Sequence, residues 1–537
     1  MKISKEWKFV MLWAALVVLL ANIPYIYGYV SAPDGKQFMG DARTFIDTNT
    51  YLAWMQQAVD GHFLFKDMYT TEPHSRIFFH PLFLSLGLIA KITGFSPLSV
   101  HTMARVVFGF ASLLFLYLFI SFFIKETNKR AVAFALLSLS GGFGWLKLIP
   151  QIDAINESWF LIGWVEGNTF LSIYALPLFS ASLLLLAATF YFILRAFEEN
   201  KPIYAFVSGI ICFFLVLTHF FDALIVYPVL VAYIAALYFI EQNLQGLKKR
   251  IKLFLIFFAC SIVAPVYDLF ASLANPVFFT HAWKQAVTLS PNFIWYIGGA
   301  GFIGIFALIG ILFILGQRTD DEKAFNRFAL LITWALTIPF LVYMPISFQR
   351  RLVEGVHVPL TILATVGLFA LIEKLHIKNW KAVCIVFLII TIPNSINVLG
   401  RDMNYLAKNA KSQTMAGYLD LEIAEAFGWL RQNSDRDDAV LSDYETGNYI
   451  PGFSGNRVFI GHPEQTIDFD KKWQATKMFF DDKVPDDLKK KMIREAGIEY
   501  VFYGWKEARL GQFDPNMAEY LEPAFSNQKV TIFKVVL

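Results

Sequence analysis

The chain has 537 residues, of which 56% are hydrophobic and 17% charged, and phenylalanine alone occurs 55 times. Soluble domains carry about 25% charged residues, so this composition excludes an ordinary soluble globule and indicates a polytopic α-helical membrane protein. The net charge of +3 is too small to signal a nucleic-acid partner.

Spanning a bilayer takes about 20 apolar residues, and such runs recur from Phe9 to Leu399. Spans are expected near 9–30, 103–124, 131–150, 174–194, 205–220, 223–240, 252–272, 295–316, 328–345, 356–373 and 382–399, about eleven helices. The first run is longer than a secretory signal core and is expected to stay as an uncleaved span. Short loops alternate in basic content: Lys2, Lys5 and Lys8, then Lys125, Lys129 and Arg130, then Lys248, Lys249 and Arg250, then Lys374, Lys378 and Lys381. Basic loops stay in the cytoplasm. The expected topology in the cell (inner or plasma) membrane therefore has a cytoplasmic N-terminus. A first outer loop at 31–102, a second at 151–173, a third segment at 273–294 and the tail then lie outside.

The first outer loop reads "GDARTFIDTNTYLAWMQQAVDGHFLFKDMYTTEPHSRIFFHPLF". Tyr51, Trp54, Met55 and Ala58 fall on one helical face, with Gly61 as a stop. Asp47 at the helix start has two readings: a favoured N-cap, or a general base at the membrane edge. Asp41, Glu72, His74 and His80 lie in the same loop. The apolar stretch 78–92 is too short to cross and is expected to lie on the outer surface as a juxtamembrane helix.

Further along, His219 and Asp222 occupy an expected outer turn, either as a local hydrogen-bonded turn or as part of a substrate pocket. The Gly299-x-Gly301-x-x-Gly304 pattern lies within an apolar run, where small residues allow close helix packing rather than dinucleotide binding. Cys212, Cys260 and Cys384 also fall in apolar runs, with no metal spacing. "ISFQRRLVEGVHVP" places Arg350 and Arg351 on the outer side, against the positive-inside pattern. Snorkelling to lipid headgroups is one explanation. An anion site is the other, since the arginine fork suits phosphate, and one of the two arginines is then expected to pair with Glu354. Domain 1–400 is thus the membrane part, and 411–537 is a small extracytoplasmic α/β domain. "EIAEAFGWLRQN" and "DDLKKKMIREAG" read as its helices, and "DAVLSD", "RVFIG", "IEYVFYG" and "KVTIFKVVL" as its strands. "YETGNYIPGFSGNR" and "IGHPEQTIDF" read as polar loops.

The run "D..TYL.WMQQA.DGHF", followed by "TTEPHS....HPL" and a span opening with "AR", resembles the GT-C superfamily of integral-membrane glycosyltransferases. It is nearest to families that use polyprenyl-phosphate sugars, such as the protein O-mannosyltransferases and the aminoarabinose transferase of lipid A. The resemblance implies Asp47 as the catalytic residue, followed by Tyr51 and Gly61, with Glu166 of "IGWVEGNTF" as a second acidic residue. "HPL" stands where "KPPL" is commoner, so His80 replaces a lysine at the donor phosphate.

The function expected on these grounds is inverting transfer of a sugar from a polyprenyl-phosphate donor to a lipid, glycan or protein acceptor on the outer membrane face. Asp47 is the base, with Glu166 assisting. Arg350, Arg351 and His80 hold the donor phosphate, and Tyr51, Glu72, His74, His219 and Asp222 line the acceptor pocket. No cofactor is required; a divalent metal held by Glu72, Glu166 and His80 is the alternative. A non-catalytic transporter or binding protein for lipid-linked sugars is the competing reading, although the polar residues gather in loops rather than at mid-membrane.

Overall fold

The computed structural model describes residues 4–155, 165–316 and 322–537. Part of the second outer loop, 156–164, lies outside them, including the first residues of "IGWVEGNTF". Among the described residues, ten helices are long and apolar enough to cross a membrane, from Lys5–Val30 to Trp380–Ala410. The expected span at 205–220 is an eleventh, shorter helix, Pro202–Thr218, of 17 residues. At 1.5 Å per residue it is about 25 Å long, at the lower limit of the roughly 17–25 residues of spanning helices. The chain is a multi-pass membrane protein.

It divides into two compact units. The first comprises Met1–Pro24, Ala104–Tyr267 and Thr288–Arg401 and holds most of the helices. Small residues set its closest packing. A Cβ on Gly310 would lie 2.0 Å from the Leu363 carbonyl oxygen, and one on Gly367 would lie 2.2 Å from that of Phe306. The helices Phe293–Gly316 and His357–Lys374 therefore meet backbone to backbone. The glycine pattern expected to pack does so: Gly301 kinks the first of these helices at φ 56°, and a Cβ on Gly142 would lie 2.1 Å from the Gly299 carbonyl oxygen. Arg105, of the "AR" that opens a span, is buried and donates to the Asn22 side chain (2.9 Å) and the Tyr174 carbonyl (3.3 Å).

The second unit comprises Tyr25–Met103, Asp268–Val287 and Asp402–Leu537. The first loop and the tail thus fold as one body. β1 (Lys36–Phe38) pairs antiparallel with β2 (Tyr418–Asp420). β3 (Ala439–Leu441), β4 (Arg457–Val458), β5 (Ile498–Tyr503), β6 (Leu521–Ser526) and β7 (Thr531–Val535) form a mixed sheet of order β4-β3-β5-β7-β6, with β3 parallel to β4 and β5. The tail helices form where expected, at Leu421–Asn433 and Asp486–Ala496, the latter closed by Gly497 at φ 60°. The helix Phe45–Val59 carries the expected apolar face, and Pro81–Thr93 packs on it so closely that a Cβ on Gly87 would lie 2.5 Å from that of Ala58.

One expected loop is a helix. Tyr444–Phe453, inside "YETGNYIPGFSGNR", is helical despite two glycines and a proline. Asp443 caps it through the Glu445 amide (2.8 Å), and a Cβ on Gly447 would lie 2.0 Å from the Ile460 carbonyl oxygen. The glycines that suggested a loop permit a buried helix to touch neighbouring backbone.

Candidate functional site

The sequence-predicted residues divide between the units. Asp47, Tyr51, Glu72, His74 and His80 belong to the second; Glu166, His219, Asp222, Arg350 and Arg351 belong to the first.

In the second unit, Asp41 serves the local fold. Its carboxylate is buried and accepts from the amides of Arg43 (2.7 Å) and Thr44 (2.8 Å) and from the hydroxyls of Thr44 (3.0 Å) and Thr48. The helix N-cap is Thr44, not Asp47. Asp47 lies in the first turn with its side chain 54% exposed, where the helix dipole favours its negative charge. Its partner is His462, a residue that sequence reasoning passed over. His462 Nε2 lies 3.3 Å from Asp47 Oδ1, while Nδ1 accepts the Glu464 amide at 3.0 Å. That second bond leaves a neutral ring's proton on Nε2, facing the carboxylate. His462 itself is buried, beside Tyr69. The loop that carries it is held by His281 Nδ1 on the Glu464 carbonyl (2.8 Å) and by Gln285 on that of Thr466 (2.8 Å). The only sequence signal for His462 was a histidine in a polar "IGHPEQ" loop.

Glu72 is paired with Lys472 at 2.7 Å and accepts from Thr70. Burial raises its carboxyl, but the Lys472 hydrogen bond and charge outweigh this and hold it below the usual range. His74 Nε2 accepts the Asp67 amide (3.0 Å) and its Nδ1 bonds the Glu72 carbonyl (2.7 Å), so it staples its own loop. Asp67 beneath is fully enclosed, and burial pushes it up to about 7. Tyr51 stacks on Phe83 (centroids 4.5 Å apart), and His80 is buried between Phe83 (4.6 Å) and Trp54 (5.4 Å).

In the first unit, Arg350 and Arg351 lie on a short 3₁₀ turn, Gln349–Val353. The Arg350 amide donates to the Thr288 carbonyl (3.1 Å), and the Arg351 guanidinium lies 5.0 Å from the Phe221 ring centroid. Glu166 abuts this turn through its carbonyl, which accepts the Gly355 amide at 3.0 Å. Gly355 has φ 70°, and a Cβ there would lie 2.6 Å from Leu186 and 3.0 Å from Trp334. The expected pairing of an arginine with Glu354 does not form. Glu354 turns inward, accepts from Ser182 and lies 2.6 Å from His219 Nδ1. His219 Nδ1 is also 3.4 Å from Asp222. These three buried residues could together hold a metal ion.

Comparison with solved structures decides the fold. The Archaeoglobus fulgidus oligosaccharyltransferase AglB, in complex with an inhibitory peptide and a dolichol-phosphate, superposes with a TM-score of 0.55 at 13% identity, covering 97% of this chain and 73% of that one. An Archaeoglobus fulgidus oligosaccharyltransferase in complex with Zn and sulfate gives a TM-score of 0.56 at 14% identity, covering 98% of this chain and 73% of that one. The fold is GT-C. ArnT from Cupriavidus metallidurans is a more distant likeness, with a TM-score of 0.49 at 12% identity over 96% of this chain and 97% of that one. No protein-family model matches the chain, and comparison with the curated proteins gave no match. The likeness therefore rests on three-dimensional arrangement, with little sequence in common.

Proposed function

We propose that the protein is a glycosyltransferase that moves a sugar from a polyprenyl-phosphate donor to an acceptor at the extracytoplasmic face, with inversion. The observation that carries this reading is Asp47: an exposed carboxylate in the first turn of its helix, oriented by a buried histidine within a fold similar to that of the archaeal enzyme. A base must reach a substrate proton, and this carboxylate is exposed. In the balanced step, Asp47 takes the acceptor's proton, the acceptor heteroatom forms the new bond to the anomeric carbon, and the lipid phosphate leaves with the electron pair of the broken bond. His462, donating from Nε2, orients the carboxylate. Arg350 and Arg351 neutralise the charge that grows on the leaving phosphate. Dolichol-phosphate on the archaeal neighbour supports a donor of this class. In this reading the membrane part is the first unit and the outer part is the second, in which the tail expected to start near residue 411 folds together with the first loop and 268–287. The alternative of a metal on Glu72, Glu166 and His80 would have to displace Lys472 from Glu72.

The test supplies purified protein in nanodiscs with radiolabelled polyprenyl-phosphate sugars and a membrane-lipid extract as acceptor. Label moving to a new product, and lost in Asp47→Asn, is the expected result. Donor binding by wild type without transfer to any lipid, glycan or peptide acceptor would favour the transporter reading.

A further inference from the structure

The polar triad His219, Asp222 and Glu354 lies in the interior of the first unit, and the sugar-transfer chemistry above does not use it. All three side chains are at most 4% exposed. Two carboxylates here face one imidazole. Among the described residues neither carboxylate is paired with a lysine or arginine, and both Asp222 oxygens lack a hydrogen-bond donor. Arg351, three positions before Glu354, is engaged instead with the Phe221 ring. Even with the imidazole charged, the cluster is one positive charge short, in surroundings that include Phe179 and Phe221. Isolated buried charge is costly unless it is paired or coordinates a metal.

We propose that His219, Asp222 and Glu354 form a binding site for a divalent transition ion of the zinc and manganese class. The ligand atoms lie within 4.8 Å of one another. The 3.4 Å separation of His219 Nδ1 from Asp222 is near the edge of a tetrahedron built on bonds of about 2.1 Å, whereas Glu354, 2.6 Å from the same nitrogen, has to draw back to admit an ion. One nitrogen and two carboxylates suit zinc or manganese better than the all-oxygen preference of calcium or magnesium. The Ser182 hydroxyl on Glu354 is the kind of outer contact that orients a ligand. The ligands come from the start of one helical segment, Phe220–Glu241, the residue before it, and the segment Gln349–Lys374. An ion there pins the Arg350–Arg351 turn to its neighbouring helices. The site is therefore structural, and the inference does not depend on the transfer reaction.

The experiment measures metal in the full chain, purified in detergent, stripped with chelator and re-equilibrated with Zn²⁺ or Mn²⁺. Elemental analysis of wild type should return one ion per chain, and thermal unfolding should rise when the ion is restored. Asp222→Asn and Glu354→Gln should each weaken binding by about tenfold or more, by analogy with lost metal contacts. Asp47→Asn should keep the ion. A wild type that binds neither metal, with melting indifferent to chelator, would overturn the proposal and leave a shared proton as the neutralising charge. Ion loss in Asp47→Asn with retention in both triad variants would overturn it too. If a triad variant does not fold, the wild-type stoichiometry and chelator response still decide.

Discussion

Asp41 and Asp47 lie in the same outer segment and differ in exposure: Asp41 is buried, while the Asp47 side chain is 54% exposed. Asp41 is consumed by four local donors, so Asp41→Asn should lower stability and transfer together. Asp47→Asn should keep the fold and lower kcat by about 10²–10⁴, the usual worth of a general base. His462→Ala should cost less than Asp47→Asn and should act on kcat rather than KM, since the ring positions a carboxylate. Steady-state kinetics on the three variants, with melting temperatures alongside, separates these outcomes. At the donor, Arg350→Ala or Arg351→Ala should weaken polyprenyl-phosphate binding, and Lys should restore it poorly because it lacks the fork; titration in nanodiscs reads this directly. A different set of residues governs pH response. Burial pushes Asp67 up to about 7, Asp443 to about 6 and Glu507 to about 7, all in the second unit. Folded-state values above the unfolded ones mean that the native state binds more protons, so stability falls as pH rises through this range. Melting followed by a tryptophan signal of the tail domain should give a higher midpoint at pH 5.5 than at pH 8. Asp67→Asn should flatten that slope.

At the level of elements, the glycine contacts make sharp claims. Gly310→Ala and Gly367→Ala each force a methyl into backbone, and overpacking of this kind costs about 1–3 kcal/mol. Gly355→Ala meets side chains rather than backbone but adds a left-handed φ of 70°, so it too should lower the midpoint in a melting series. The same elements separate what was readable in advance from what was not. Long apolar runs located the helices because hydropathy alone decides them. Tail strands were readable where β-branched and aromatic residues cluster between turns, as in "IEYVFYG" for β5. β6, "LEPAFS", escaped because it carries a proline and mostly exposed residues, as an edge strand does. Asp47 was readable as a candidate by its place at a helix start. His462 was not, because its partner is more than four hundred positions away in sequence and nothing local marks it. Glu354 looked like a partner for the adjacent arginines by helical spacing, but the 3₁₀ turn sends it to the interior.

Across the whole molecule, the second unit restricts the path of the chain through the bilayer. Its segments 25–103, 268–287 and 402–537 fold together, so all three lie on one face. An even number of crossings must separate them. That condition holds if Pro202–Thr218 crosses and Pro81–Thr93 does not. Cysteines placed at His62 and Gln465 in a cysteine-free background should therefore share a labelling side, with one at Asn128 on the other. Maleimide that reaches 62 and 128 together, or 62 and 465 from opposite faces, would contradict this path. If the sequence-based orientation holds, 62 and 465 label from outside intact cells.

The β1–β2 ladder also sets a timetable. Lys36–Phe38 emerges from the ribosome early, yet its partner Tyr418–Asp420 follows only after every other span has been made. Domains usually fold as they appear, N-terminal first; this first loop has to wait, with Phe38 and Tyr69 awaiting burial in contacts that the tail completes. Biogenesis should therefore depend on something that shields the loop in the interval. Nascent chains arrested before residue 410 should show a first loop open to protease, and release of the full-length chain should close it within one folding step.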